Sequence, residues 1–123
     1  MYNYSYTEMI DGHPITYHKE RKNNEPIFID KYLMSDIPLE TQEKVFAWIK
    51  ENFRPRKTPL DEHDSYTLKH VLERATDIYL GNNAFKDAML QCGFEPVDYF
   101  EMNWRFRISK RSPAFIKDRE FFR

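Results

Sequence analysis

Asp61, His63, Asp64 and His70 stand close together in the sequence, and carboxylates with imidazoles are the ligand types that hold zinc and related metals. Against a metal centre, there is no Cys pair and no His-x-x-x-His on one helical face. The segment reads equally well as an acidic loop leading into a helix cap. No metal and no cofactor are expected, and these four residues are the weak candidates. Nucleophilic chemistry has less behind it. Cys92 falls on an apolar face, where a thiol behaves as a small hydrophobe. Ser65, Ser109 and His70 share no motif, and Asp61-Glu62 sits in a polar loop with nothing apolar to raise a carboxyl pKa. A chain with three glycines has no Gly-rich phosphate loop and no nucleophile elbow. The expectation is a protein that is not an enzyme.

Binding chemistry is better represented. Residues 103–123 carry seven Lys/Arg against Asp118 and Glu120, while the rest of the chain holds 12 basic and 18 acidic groups. Arg105, Arg107, Lys110 and Arg111 lie on or just beyond one polar strand face, and Arg54, Arg56 and Lys57 form a second basic loop. Such cations contact phosphates in a salt-dependent, weakly specific way. The acidic majority opposes that reading. Tyr66 and Lys69 complete the binding candidates; Tyr and Arg are the residues favoured at interface hot spots.

These residues need elements to position them. The 123-residue length is enough for one domain with a real core, and 16% aromatic content supplies large buried areas. A mean hydropathy of −0.80 with 32% charged residues excludes a membrane-spanning helix. The first residues have no basic, apolar leader pattern, and the single Cys fits a reducing compartment, so a cytoplasmic location is expected.

Tyr99–Ser109 gives the clearest periodicity. Phe100, Met102, Trp104, Phe106 and Ile108 alternate with Glu101, Asn103, Arg105 and Arg107, the pattern of a strand with one dry and one basic face. Residues 1–20 read as a hairpin turning at Asp11-Gly12, with Pro14 confining its second strand to an edge or bulge there. Pro26–Ile29 reads as a short strand. A helix starts near Asp36–Leu39 with Asp36 as cap, and buries Val45, Trp48, Ile49 and Phe53. A second is capped by Asp64 or Ser65 and buries Leu68, Val71, Leu72 and Ala75, and Lys69 and Glu73 are spaced to pair on it. A third is capped by Asn82 or Asn83, buries Phe85, Ala88, Met89 and Cys92, and ends at Gly93. Ser112-Pro113 opens a last short helix whose apolar groups are Phe115, Ile116, Phe121 and Phe122.

The fold class expected is α+β: an N-terminal hairpin and three main helices, of which a helix-turn-helix-like pair packs on a small antiparallel sheet. One domain spans 1–123, divided into 1–35 (hairpin and short strand), 36–60 (helix and basic loop), 61–111 (helix-turn-helix-strand unit) and 112–123 (short helix or tail).

Three blocks carry a resemblance. They are Ser65-Tyr66-Thr67-Leu68-Lys69-His70-x-x-Glu73, then Tyr79-x-x-Asn82-x-x-Phe85-Lys86-x-Ala88-Met89 with Gly93-Phe94, then Asn103-Trp104-x-Phe106-x-Ile108-Ser109. Over about residues 64–110 the chain resembles a family of small proteins carried by bacteriophages, prophages and conjugative elements, chiefly of Gram-positive hosts. The family pattern often has Gly where Thr67 and Asn83 stand here. The resemblance implies a mobile-element accessory role. With the acidic, aromatic-rich body, it leads to a non-enzymatic binder of a host protein or nucleoprotein complex that handles nucleic acid, of the anti-defence, anti-CRISPR-like kind. The alternative is a winged-helix-like DNA-binding accessory protein using the basic C-terminal face.

Overall fold

The computed structural model describes residues 4–19 and 27–118. Asp11 and Gly12 take φ of 52° and 83°, the left-handed pair that a two-residue hairpin turn requires. They join β1 (Tyr4–Ile10) to β2 (His13–Lys19), and β3 (Ile27–Asp30) adds to the other side of β2, giving an antiparallel sheet of order β1-β2-β3. Pro14 pairs with Met9 and lies beyond β3, whose register with β2 ends at Thr16. Its missing N–H therefore interrupts no ladder on that side.

The two faces of the hairpin differ. Tyr6 and Tyr17 face each other across one surface, whereas Thr7 and Thr16 are buried on the other, against the helices. The polar side of the alternation thus points inward, because the helix that covers it presents polar groups of its own.

Helix α1 (Leu39–Asn52) is capped by Pro38 and not by Asp36, which closes a 3₁₀ turn at Met34–Asp36 and accepts the Leu33 N–H at 2.8 Å. Helix α2 (Ser65–Thr76) has the expected cap: Asp64 Oδ1 accepts the Thr67 N–H at 3.1 Å. It ends on Asp77, which adopts the left-handed conformation and donates its N–H to the Glu73 carbonyl. Helix α3 (Asn82–Gln91) has Gly81 at its N-cap, so Asn82 and Asn83 belong to the helix and do not cap it. The capping carboxylate comes from the sheet, where Asp30 Oδ2 accepts the Asn83 N–H at 3.0 Å. A β-carbon on Gly81 would stand 3.3 Å from that oxygen, so a glycine lets the carboxylate approach. Gly93, at φ +89°, closes α3. Helix α4 (Pro113–Lys117) follows Ser112 with Pro113 at its first position; it buries Phe115 and leaves Ile116 exposed, and Phe121 and Phe122 lie outside the described residues.

The core gathers Val45, Ile49 and Phe53 of α1, Leu68, Val71 and Leu72 of α2, and Phe85, Ala88 and Met89 of α3. Ala75 of α2, expected in that core, is exposed. The architecture is α+β, with α2 and α3 as a helix pair against a small antiparallel sheet. The pair is joined by residues 77–81 and not by an Asn-rich turn.

Tyr99–Ser109 departs most from expectation. It is not a strand of the sheet: Tyr99 and Phe100 lie in a turn, Met102 and Asn103 in a bend, and the segment touches the sheet through one isolated bridge, Tyr6 to Glu101. Elsewhere its backbone bonds to loops: Arg107 and Phe106 carbonyls accept from Arg56 and Leu60, and the Arg105 carbonyl accepts from Val97. Pro55, Pro59 and Pro96 flank those contacts, and a residue without an N–H cannot extend a ladder. The alternation still sorts Trp104, Phe106 and Ile108 into the core. It fails at Phe100, which is 56% exposed, and at Met102, which is half-buried.

Candidate functional site

The basic residues do not form one free surface. Arg105 Nη1 donates to Asp61 at 2.9 Å and Nη2 to Glu101 at 2.9 Å, and both carboxylates raise its pKa. Lys110 stands 3.4 Å from Glu62. Arg54 is turned back onto α1, donating to the Glu51 carbonyl at 2.9 Å, and Arg56 donates to the carbonyls of Thr58 and Pro59. Arg107, Arg111 and Lys57 remain exposed without an ion pair among the described residues.

The four metal candidates are likewise spent on separate tasks. Asp61 holds Arg105 and Asp64 caps α2, while His63 stacks on Phe115 and His70 Nδ1 faces Glu73 at 3.4 Å. Glu73 therefore faces His70 and forms no ion pair with Lys69, the partner that the i,i+4 spacing offered. Among the described residues no group of three metal-ligating side chains converges.

Tyr66 and Lys69, by contrast, come together with residues that the sequence did not single out for binding. They line a cleft of about 700 Å³, with Tyr32 from the loop after β3 and Tyr79 from the α2–α3 connection. Tyr32, Tyr66 and Tyr79 are all more than half exposed. Lys69 Nζ lies 5.2 Å from the centre of the Tyr66 ring and 4.6 Å from that of Tyr79. Tyr66 also meets His70 edge to face. Burial pushes the Lys69 ammonium pKa down, and Glu73 and Asp30 partly restore it. The helical spacing of Tyr66, Lys69 and His70 was a usable signal. The contribution of Tyr32 and Tyr79 was not, since it depends on how two loops fold back.

Beneath this cleft lies a polar layer that no motif announced. Lys86 is fully buried in α3, and its three N–H groups reach three oxygens: Thr7 Oγ1 at 2.8 Å, Thr16 Oγ1 at 3.0 Å and the Met102 carbonyl at 2.8 Å. The threonine hydroxyls donate onward, Thr7 to the Glu101 carbonyl and Thr16 to Asn83 Oδ1, so their lone pairs are free to receive Lys86. The ammonium also lies 5.3 Å from the Trp104 ring centre. Next to it, Asp87 accepts the Met34 N–H, stands 2.8 Å from His13 Nδ1 and accepts from Gln91. At the start of α3, Ser65 donates to Asn82 Oδ1 and Asn82 donates to Asn103, while the Trp104 N–H donates to Ser65.

A second surface is aromatic. Phe100 stacks on Tyr6 at 5.0 Å, Tyr6 stacks on Tyr17 at 5.6 Å, and Tyr4 leans on Tyr6 at 5.5 Å. Tyr4 and Phe100 keep substantial exposure there. Among the described residues, no helix is long and apolar enough to cross a membrane. Comparison with protein-family models, with curated proteins and with solved structures found no match to this chain.

Proposed function

We propose that the protein is a non-enzymatic accessory factor of a bacterial mobile element. In the host cytoplasm it docks on a protein or nucleoprotein complex that handles nucleic acid and inhibits it, in the manner of an anti-CRISPR protein. The observation that carries a protein partner is the outward aromatic face of the hairpin, where Phe100 and Tyr4 stay exposed beside stacked Tyr6 and Tyr17. Exposed, pre-stacked aromatic rings supply large contact area at low entropic cost and are typical anchors of protein interfaces. The resemblance over residues 64–110 supports the mobile-element setting.

A DNA-binding role has less support. The second helix of a DNA-reading pair must offer a face to the groove, and every residue of α3 from Asn83 to Met89 is buried. Arg105 and Lys110 are already paired with carboxylates.

Two measurements test the proposal. In a cleavage assay with a purified CRISPR effector nuclease of a Gram-positive host, the protein is expected to block cutting, and Phe100→Ala to raise the concentration required by ~30-fold. Titration of labelled duplex and single-stranded DNA at two salt concentrations is expected to show only weak, salt-sensitive binding. Unimpaired cleavage by such nucleases, together with tight DNA binding that Arg107→Ala and Arg111→Ala abolish, would reverse the assignment in favour of the DNA-binding role.

A further inference from the structure

Buried ammonium groups in folded proteins are paired or hydrogen-bonded, because leaving one desolvated without an acceptor is costly. Lys86 obeys this rule, and Lys69 does not. Lys69 is only 4% exposed, yet among the described residues no carboxylate, carbonyl or hydroxyl oxygen lies within hydrogen-bonding reach of its Nζ. Its Nζ lies instead against the Tyr66 and Tyr79 rings. No fully enclosed side-chain nitrogen in the described structure lacks a partner, so this ammonium keeps an opening, and that opening is the 700 Å³ cleft that Lys69 lines.

The acidic groups of the cleft are, in contrast, already engaged. Asp30 receives the N–H groups of Tyr32 and Asn83 on its two oxygens, and Asp36 receives that of Leu33. The free donors of the cleft are the Lys69 ammonium and the hydroxyls of the exposed tyrosines. Around those donors stand aromatic rings and the apolar side chains of Leu33, Ile37 and Leu80. A volume of about 700 Å³ falls within the range of small-molecule sites, which combine apolar walls with few placed polar groups.

We infer that this cleft binds a small planar aromatic anion, its ring against Tyr66 and Tyr79 and its charged oxygens on Lys69. The anionic group is a phosphate ester, as in a nucleotide, or an aromatic carboxylate. The two share the same recognition chemistry, an oxyanion for the ammonium and a ring for the tyrosines. The inference stands on the cleft alone and is separate from the aromatic hairpin face proposed as the protein-docking surface.

Calorimetric titration of the whole protein with four probes tests it: adenosine 5′-monophosphate, 4-hydroxybenzoate, inorganic phosphate and uncharged adenosine. The expected result is saturable 1:1 binding of at least one aromatic anion, at least about tenfold tighter than inorganic phosphate or adenosine. Which of the two binds identifies the source of the anion. Lys69→Met, which keeps the aliphatic stem, is expected to weaken that binding by about 10–100-fold. Tyr79→Ala removes a 67% exposed ring and leaves the fold unaffected, and is expected to weaken it by ~5–10-fold. Circular dichroism is the check that both variants are folded. The inference is overturned if neither aromatic anion binds below ~1 mM, if phosphate or adenosine binds as tightly, or if a folded Lys69→Met protein binds unchanged.

Discussion

The protein is expected to become more stable as the pH rises from about 6 to 9, and Lys86 is the reason. Burial pushes its ammonium down to about 7, from an ordinary value of 10.5, with Asp30 opposing the shift. Between those two values the unfolded chain binds a proton that the folded chain releases. Stability therefore increases with pH across that window; the cost of the buried charge is fully present below pH 7 and gone above 10.5. From pH 6 to 9 the gain is roughly 3 kcal/mol, a large part of the stability of a small domain.

Urea midpoints taken at unit pH steps measure this directly. Lys86→Met retains the stem, removes the charge and leaves the two threonine hydroxyls with the acceptors they already have, Glu101 carbonyl and Asn83 Oδ1. Its midpoint is expected to lose most of the pH dependence over that range. At pH 6 it is expected to match or exceed the wild type, because a buried charge is exchanged for a thioether of similar length. The difference between the two proteins is the informative quantity, because it cancels every titration that they share. Equal slopes for wild type and Lys86→Met would refute the assignment.

Trp104→Ala is expected to be the most damaging single substitution, costing about 3–5 kcal/mol. The indole is wholly buried, packs edge to face on Phe106 and Tyr99, donates its N–H to the Tyr99 carbonyl at 3.1 Å, and covers the Lys86 ammonium. Phe100→Ala removes an apolar residue of the same alternating pattern, but one that is more than half exposed and stacks on Tyr6, and is expected to cost about 1 kcal/mol. A regular strand with one dry face would make the two substitutions comparable. Denaturation of both variants distinguishes the two descriptions, and comparable losses would restore the strand.

That contrast marks what could be read in the sequence. The helices were legible because apolar residues at i, i+3 and i+4 leave few alternatives, and Asp64 lies one residue before the first such turn. The hairpin was legible through Asp11-Gly12. Alternation at Trp104, Phe106 and Ile108 correctly gave burial but not pairing, because period 2 reports which side a residue faces and says nothing of whether a neighbouring strand is present to bond. The capping of α3 by Asp30 was hidden for a related reason: the donor and the carboxylate lie 53 residues apart. Lys86 was unreadable in principle, since a lysine inside an apolar helical stripe looks like surface until the threonines of another element meet it. Of the binding candidates, Tyr66 and Lys69 acquired a site, whereas Arg54, Arg56 and Arg105 turned out to support loops and carboxylates.

The polar layer around Lys86 also orders events during folding. Its bonds to Thr7 and Thr16 span 79 and 70 residues, while helices α2 and α3 meet across a connection of only a few residues. Long loops close late, after the entropy of shorter ones has been repaid. The hairpin is then docked after the rate-limiting step, and Thr7→Val is expected to speed unfolding several-fold in stopped-flow experiments while leaving the refolding rate nearly unchanged. An equal effect on refolding would place the hairpin in the nucleus. With late docking, the lifetime of the native protein is set by how firmly the buried contacts of Thr7, Thr16 and Asn83 hold the N-terminal sheet to the rest of the chain.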